Sequence, residues 1–286
     1  MTPSVGSLFR RSILRQLAAL GAGAASCGCY AVLIEPFWVR WRRVEMPLKG
    51  LPSHLEGRLL VQISDLHASA RVSTPFLQRH LQAVAALKPD YVVYTGDYVS
   101  LDSGTDAALR AVAQSMPLGR LGTAAVLGNH DYGVNWGQPH WAEKIVGLLQ
   151  QRGVRVLRNE GVDFNGLQIL GMDDLWSGRL KVKPTLDLRM SHKPSLVLCH
   201  NPDALDLPGW DDFTGWVLCG HTHGGQCRPP FLPAPLLPVK NKRYERGLIE
   251  LGDGRQAYIN PGLGWLHQVR FAVRPEITLF KLSRAA

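Results

Sequence analysis

Cysteine is scarce in this 286-residue chain and follows no pattern: five residues, at 27, 29, 199, 219 and 227. An odd number without a CxxC pair excludes a disulfide framework and a zinc knuckle. Cys199 and Cys219 each close an apolar run, where a free thiol packs as a small hydrophobe. Charge is sparse too, at 19% of residues against 45% hydrophobic, which excludes wholesale disorder. Acidic residues are nearly missing from one region. Residues 1–43 hold six arginines against Glu35 alone and carry +5 of the net +9, leaving the rest near neutral. A near-neutral body without a basic stripe speaks against nucleic acid as a partner.

The first forty residues have a basic start and then 18 uncharged residues, Leu17 to Ile34. That length is at the low edge for a membrane-spanning helix and also fits a secretory signal. Arg10-Arg11-Ser12-Ile13-Leu14-Arg15 resembles the twin-arginine export motif, with Ile for the usual Phe and Arg for the usual Lys. Trp38 and Trp41 among Arg40, Arg42 and Arg43 read as an interfacial anchor. A buried or amphipathic N-terminal helix is the plainer alternative. Arginines flank the apolar run on both sides, so they do not set its orientation.

From Arg58 onward, apolar runs of strand length keep ending in residues of metal-ligand type. LLVQIS leads to Asp65-Leu66-His67, YVVYTG to Asp97, and AAVLG to Asn129-His130-Asp131. SLVLC leads to His200 and WVLCG to His221-Thr222-His223. Continuous Val/Ile/Leu runs predict strands buried on both faces, and helix-like stretches at 75–90 and 140–153 alternate with them. That order implies α/β layering, in which ligands collect at the carboxyl ends of strands. In an extended chain His221 and His223 face one side. One Asp-x-His or Gly-Asp is more often a turn or a cap; five such pieces, all at strand ends, are not. Imidazole, carboxylate and amide donors gathered at strand ends suit bound metal ions.

Together, Asp65-x-His67, Gly96-Asp97, Gly128-Asn129-His130-Asp131, His200 and Gly220-His221-x-His223 resemble the calcineurin-like metallophosphoesterase superfamily. The twin-arginine-like start, Tyr30-x-x-x-Ile34-Glu35-Pro36, His223-Gly224-Gly225-Gln226 and Arg274-Pro275-Glu276 are similar to one bacterial branch. That branch is exported or membrane-attached and includes UDP-diacylglucosamine pyrophosphatases of lipid A synthesis. The resemblance implies an α/β fold, a four-layer α-β-β-α sandwich of two mixed sheets flanked by helices. It implies two divalent transition-metal ions (Mn, Fe, Zn or Co). Asp65, His67, Asp97 and His223 would hold one; Asp97, Asn129, His200 and His221 would hold the other. A water between them would attack phosphorus as hydroxide. Asn129 and His130 would bind substrate, and His130 would protonate the leaving group. Asp131 either holds His130 in one tautomer or caps a turn. Gly96, Gly128 and Gly220 would let backbone approach a bound phosphate.

The expected organisation is a signal or membrane-anchor segment over 1–43 and a catalytic domain over 44–286. The expected activity is hydrolysis of a phosphoester or pyrophosphate bond at the membrane or cell envelope, on a lipid-linked substrate such as one of UDP-diacylglucosamine type, a cell-envelope polymer or a small phosphodiester. The expected place is the inner membrane, on its periplasmic face after twin-arginine export, or alternatively anchored on the cytoplasmic face. A nuclease or nucleotide phosphodiesterase of the same fold is the alternative enzyme. A non-catalytic scaffold would show eroded ligands, and none of the seven is missing.

Elsewhere, Val154 to Asp174 reads as strand, hairpin, strand about an Asn165-Gly166 turn, with Asp173 and Asp174 structural. Residues 246–282 predict three further strands that supply a second sheet. RPPFLPAPLLPV at 228–239 carries five prolines and no acid. It is predicted to overhang the site, as a packed loop or as an apolar lip for lipid chains.

Overall fold

A computed structural model describes residues 5–100 and 105–285, with side chains from Leu14 onward in the first helix. The twelve strands form two six-stranded mixed sheets. The first runs in the order β1 (Arg40–Leu48), β12 (Glu276–Arg284), β2 (Leu59–Ile63), β3 (Tyr91–Thr95), β4 (Gly122–Val126) and β5 (Arg155–Val156). The second runs β10 (Gly247–Glu250), β11 (Arg255–Ile259), β9 (Gly215–Cys219), β8 (Ser195–Leu198), β7 (Leu167–Gly171) and β6 (Glu160–Phe164). β2, β3, β4 and β5 are parallel, as are β7, β8, β9 and β11.

Alternation along each strand divides its side chains between two cores. Val61, Ile63, Val92 and Tyr94 face the helices α2 (Thr74–Ala86), α3 (Thr105–Ser115) and α4 (Pro139–Gln151). Leu60, Tyr91 and Val93 face the other way and meet Ile169, Leu196, Leu198 and Leu218 between the sheets. α2 and α4 follow the predicted helices, each with proline in its first turn, where the missing N–H costs no hydrogen bond. Leu77, Leu81 and Val84 of α2, and Ala142, Ile145 and Leu149 of α4, recur at helical spacing on the buried side.

The expected sandwich is therefore present, with one asymmetry. The outer face of the second sheet carries one short α-helix, α5 (Val182–Leu186), a 3₁₀ turn over Pro202–Asp206 that supplies Ala204 and Leu205, and loops that supply Trp210, Phe213 and Tyr244. The three C-terminal strands also divide between sheets. β10 and β11 join the second sheet beside β9, whereas β12 enters the first between β1 and β2. The hairpin of β6 and β7 pairs Phe164 with Leu167 about Asn165 (φ 55°) and Gly166 (φ 96°). Both central residues have positive φ, as a tight hairpin turn requires.

α1 (Val5–Cys29) continues through a π-helical turn to Ile34 and a short 3₁₀ turn to Phe37. Leu14–Phe37 is long and apolar enough to cross a membrane and is almost wholly unburied. The side chains of Arg10, Arg11, Ser12 and Ile13 lie outside the described ones. The boundary expected after residue 43 runs through β1, which pairs from Arg40 with β12. All five cysteines are free.

Candidate metal centre

The two sheets bring the carboxyl ends of five strands to one place. Asp65 and His67 follow β2, Asp97 follows β3, Asn129 follows β4, His200 follows β8, and His221 and His223 follow β9. All seven are buried. Donor atoms of Asp65, His67 and His223 lie within 4.8 Å of one another, and so do those of Asp97, His200 and His221. Asp97 stands between the clusters: its Oδ2 is 3.2 Å from His200 Nε2 and 3.7 Å from His67 Nε2. Asn129 has no partner for either side-chain amide atom.

The backbone here is strained in a consistent way. Asp65 (φ 51°), His67 (φ 47°), Asp97 (φ 54°), His221 (φ 72°) and His223 (φ 49°) all lie in the left-handed region. L-residues pay for that conformation unless the surroundings hold it, and such residues gather at functional sites. The glycines leave room for the side chains themselves. A Cβ on Gly128 would lie 2.2 Å from Asp97 Oδ1, and one on Gly220 2.4 Å from Asp65 Oδ2.

Hydrogen bonds behind the imidazoles aim the ring nitrogens. His200 Nδ1–H donates to the Thr95 carbonyl (2.6 Å) and His221 Nε2–H to the Pro238 carbonyl (2.9 Å). Carbonyls only accept, so His200 Nε2 and His221 Nδ1 keep free lone pairs. His221 Nδ1 has no hydrogen-bond partner, and His200 Nε2 faces Asp97 Oδ2 at 3.2 Å. His67 and His223 turn their Nε2 atoms to within 2.9 Å of each other. An unpaired buried polar atom costs about 1–3 kcal/mol, so convergence of this many needs a common partner. Imidazole, carboxylate and amide donors in this arrangement suit divalent cations.

Electrostatics point the same way. Burial pushes the Asp65 carboxyl up to about 7, a penalty that a cation would cancel. Burial also raises Asp97, but His200, His130 and His67 outweigh it and hold that carboxyl well below the usual range. Burial holds His67 and His221 near 3, neutral and ready to ligate.

His130 is the one imidazole of the set left partly exposed. Its ring stands edge-on to His67, with centroids 5.1 Å apart. Its backbone N–H donates to Asp97 Oδ1, which fixes the turn that presents it. Asp131 does not hold His130. Its two oxygens accept the backbone N–H groups of Asp97, Tyr98 and Gly128 at 2.8–2.9 Å, so it clamps the β3 and β4 loops together.

Several supporting residues escaped sequence reasoning. Gln62 donates to Thr95 Oγ1 and the Cys219 carbonyl, Thr95 Oγ1 donates to Ser64 Oγ, and Ser64 Oγ donates to Asp65. A polar side chain inside an otherwise apolar run was their only signal. Arg270 gave none. Its buried guanidinium donates to the carbonyls of Pro261 and Gly264 and lies 3.4 Å from His223 Nδ1. Asp173 is structural as expected, accepting from the Tyr132 hydroxyl and from Arg158.

Donors that could hold metal ions cluster at strand ends of two facing sheets, and residues 59–225 match the calcineurin-like phosphoesterase family, which makes the chain a phosphoester hydrolase. The chain belongs to that family. It is 32% identical to Phosphodiesterase YaeI of Escherichia coli, over 96% of this chain and 99% of that protein. It is 25% identical to the UDP-2,3-diacylglucosamine pyrophosphatase LpxG of Chlamydia muridarum, over 93% and 95%. A transmembrane protein with metallophosphoesterase domain of Danio rerio is 32% identical over 85% of this chain and 57% of its own length.

Proposed function

We propose that this chain is a dinuclear phosphodiesterase or pyrophosphatase that works on a lipid-linked substrate at a membrane. The observation that carries the dinuclear reading is Asp97, whose Oδ2 faces His200 of one donor cluster and His67 of the other, with the Asn129 amide and His221 Nδ1 left without a hydrogen-bond partner beside it. Asp65, His67, Asp97 and His223 would hold one cation, and Asp97, Asn129, His200 and His221 the other. Cations bound there would neutralise phosphoryl charge and make water a better nucleophile near neutral pH. His130, partly exposed and without a side-chain hydrogen bond among the described residues, would give a proton to the leaving oxygen. Asn129 and His130 would also contact the phosphoryl group.

The membrane part of the reading rests on one loop. The end of the apolar N-terminal helix is tied to residues 268–272: Arg270 N–H donates to Ala31 O, Gln268 to Val32 O, and Ala272 N–H to the buried Glu35 carboxylate. The root of the proline-rich lip is tied to the same loop, with Arg228 N–H donating to Phe271 O and Gln226 to His267 O and Val269 O. Phe231, Leu232 and Leu236 on that lip are exposed, and its Pro238 carbonyl holds His221. Helix, lip and metal site thus share one side of the molecule. The similarity to a UDP-diacylglucosamine pyrophosphatase supports a substrate of that type. The N-terminal segment would act as export signal or anchor, with the periplasmic face favoured by its twin-arginine-like start.

Metal analysis of purified protein, followed by a substrate panel, tests this. The panel contains an aryl monoester, an aryl diester, a nucleotide-diphosphate lipid and single-stranded DNA. About two equivalents of a transition metal and fastest turnover of the lipid are expected. Metal-independent turnover, or a preference for DNA, would overturn the reading.

A further inference from the structure

Two indoles stand beside the metal centre without a role in it. Trp176 packs edge-on against the His221 ring with centroids 4.4 Å apart, and Trp136 lies against Trp176 at 4.6 Å. Trp136 is 37% exposed and Trp176 is half-buried, so the pair forms an aromatic shelf open to solvent. Neither side chain belongs to the three hydrophobic cores.

The shelf is held rigidly from below. Asn135 (φ 52°) and Trp136 (φ 56°) both sit in the left-handed region, where non-glycine residues need support. Trp136 N–H donates to Gly133 O, and Gln138 reaches back to Tyr132 O and Val134 N. The turn bearing Trp176 is closed on Asp174, which accepts from Ser177 N–H at 2.6 Å. The Tyr132 hydroxyl donates to Asp173, and Arg158 and Arg179 lie over the Tyr132 ring, which joins the two loops. Two separate chain segments therefore hold these indoles at one corner of the site.

We propose that Trp136 and Trp176 form a subsite for a planar ring carried on the phosphoester, a nucleobase or an aryl group. It rests on the reading above, that phosphorus is bound at the metal clusters. A phosphoryl group near His221 leaves its substituent within reach of Trp176. Every planar ring offers a face to stack, and an indole gives a broad, rigid partner. The mouth then has two unlike sides: indoles for a ring, and the exposed Phe231, Leu232 and Leu236 for an apolar chain.

The test compares Trp136→Ala, Trp176→Ala and Trp176→Phe with the parent, all metal-loaded and checked for metal content. Three pyrophosphate diesters with the same scissile bond are used: uridine–hexyl, phenyl–hexyl and dihexyl. Taking the variant-to-parent ratio for each substrate removes differences in intrinsic reactivity. Trp176→Ala is expected to lower kcat/KM about tenfold for a ring-bearing substrate, the effect of one lost stacking partner, and to leave dihexyl turnover unchanged. Trp176→Phe recovers most of the loss. Loss with the uridine compound alone identifies a nucleobase site, and loss with both identifies a general aryl site. A second readout needs no turnover: uridine monophosphate or phenyl phosphate quenches tryptophan fluorescence of the parent, hexyl phosphate does not, and Trp136→Ala weakens the quench. Equal losses on all three substrates, or no loss with a ring, would overturn the shelf and leave the phosphoesterase reading standing. If no phosphoester is cleaved by loaded protein, the phosphoesterase reading fails, and the quench still decides the shelf.

Discussion

The two sheets contribute different chemistry to one site. The first offers both carboxylates, the amide and one imidazole: Asp65, Asp97, Asn129 and His67. The second offers imidazoles only: His200, His221 and His223. Neither sheet builds a cluster alone, because each cluster combines residues of both. The sheets differ outside as well, with three α-helices over the first and one short α-helix, a 3₁₀ turn and loops over the second. The lesson is that docking of the sheets, through the apolar layer between them, completes the site. A cation in either cluster would then clamp one sheet to the other.

The sharpest way to break the comparison is at Asp97, the first-sheet group that faces the second sheet's His200. Asp97→Ala should lower turnover about a thousandfold or more, because one carboxylate serves both clusters. Metal content measured by elemental analysis should fall with it; full occupancy of both sites would refute the shared role. Next comes His130, a first-sheet residue that ligates nothing. His130→Ala should cost about a hundredfold or more in kcat while metal stays bound. Similar kcat values in variant and parent would remove its part in proton transfer.

The smallest effect is on stability. If cations clamp the sheets, stripping them should lower the melting temperature, by roughly 3 kcal/mol of lost linkage at a hundredfold excess over Kd. This gap should be wider at pH 8 than at pH 5. Without metal, burial raises Asp65 to about 7, and His200 is raised well above its ordinary value because Asp97 outweighs its burial. Both groups are therefore protonated at pH 5 and must lose protons to ligate, so binding strengthens as pH rises. His67 and His221, held near 3, are neutral at both values and add nothing to the difference. A gap that is the same at pH 5 and pH 8 would contradict this.

Much of the site was legible before any coordinates. The pattern of an apolar run followed by a donor located five strand ends, since a strand buried on both faces that stops at a polar donor leaves a recognisable signature. The hairpin at Asn165-Gly166 was legible for a similarly local reason: both residues tolerate positive φ. Of the two roles read for Asp131, the cap is the one found, since its carboxylate accepts the Gly128 N–H at the start of its own turn, while its further bonds to the Asp97 and Tyr98 amides left no local signal. Arg270 was invisible, lying 47 residues beyond His223 in a stretch without pattern. The strand over Arg40–Leu48 was hidden by its three arginines and Trp41, whose side chains remain exposed at the sheet edge.

Local sequence alone determined which residues end strands, which helices bury one side, and which donor types the chain carries, because these depend on periodicity and on backbone preference within a few residues. Tertiary structure decided which sheet each strand joins, which donors meet, and what the indoles at 136 and 176 face. Those outcomes depend on how two apolar sheet faces pack over distances of many residues, and no local pattern records that packing.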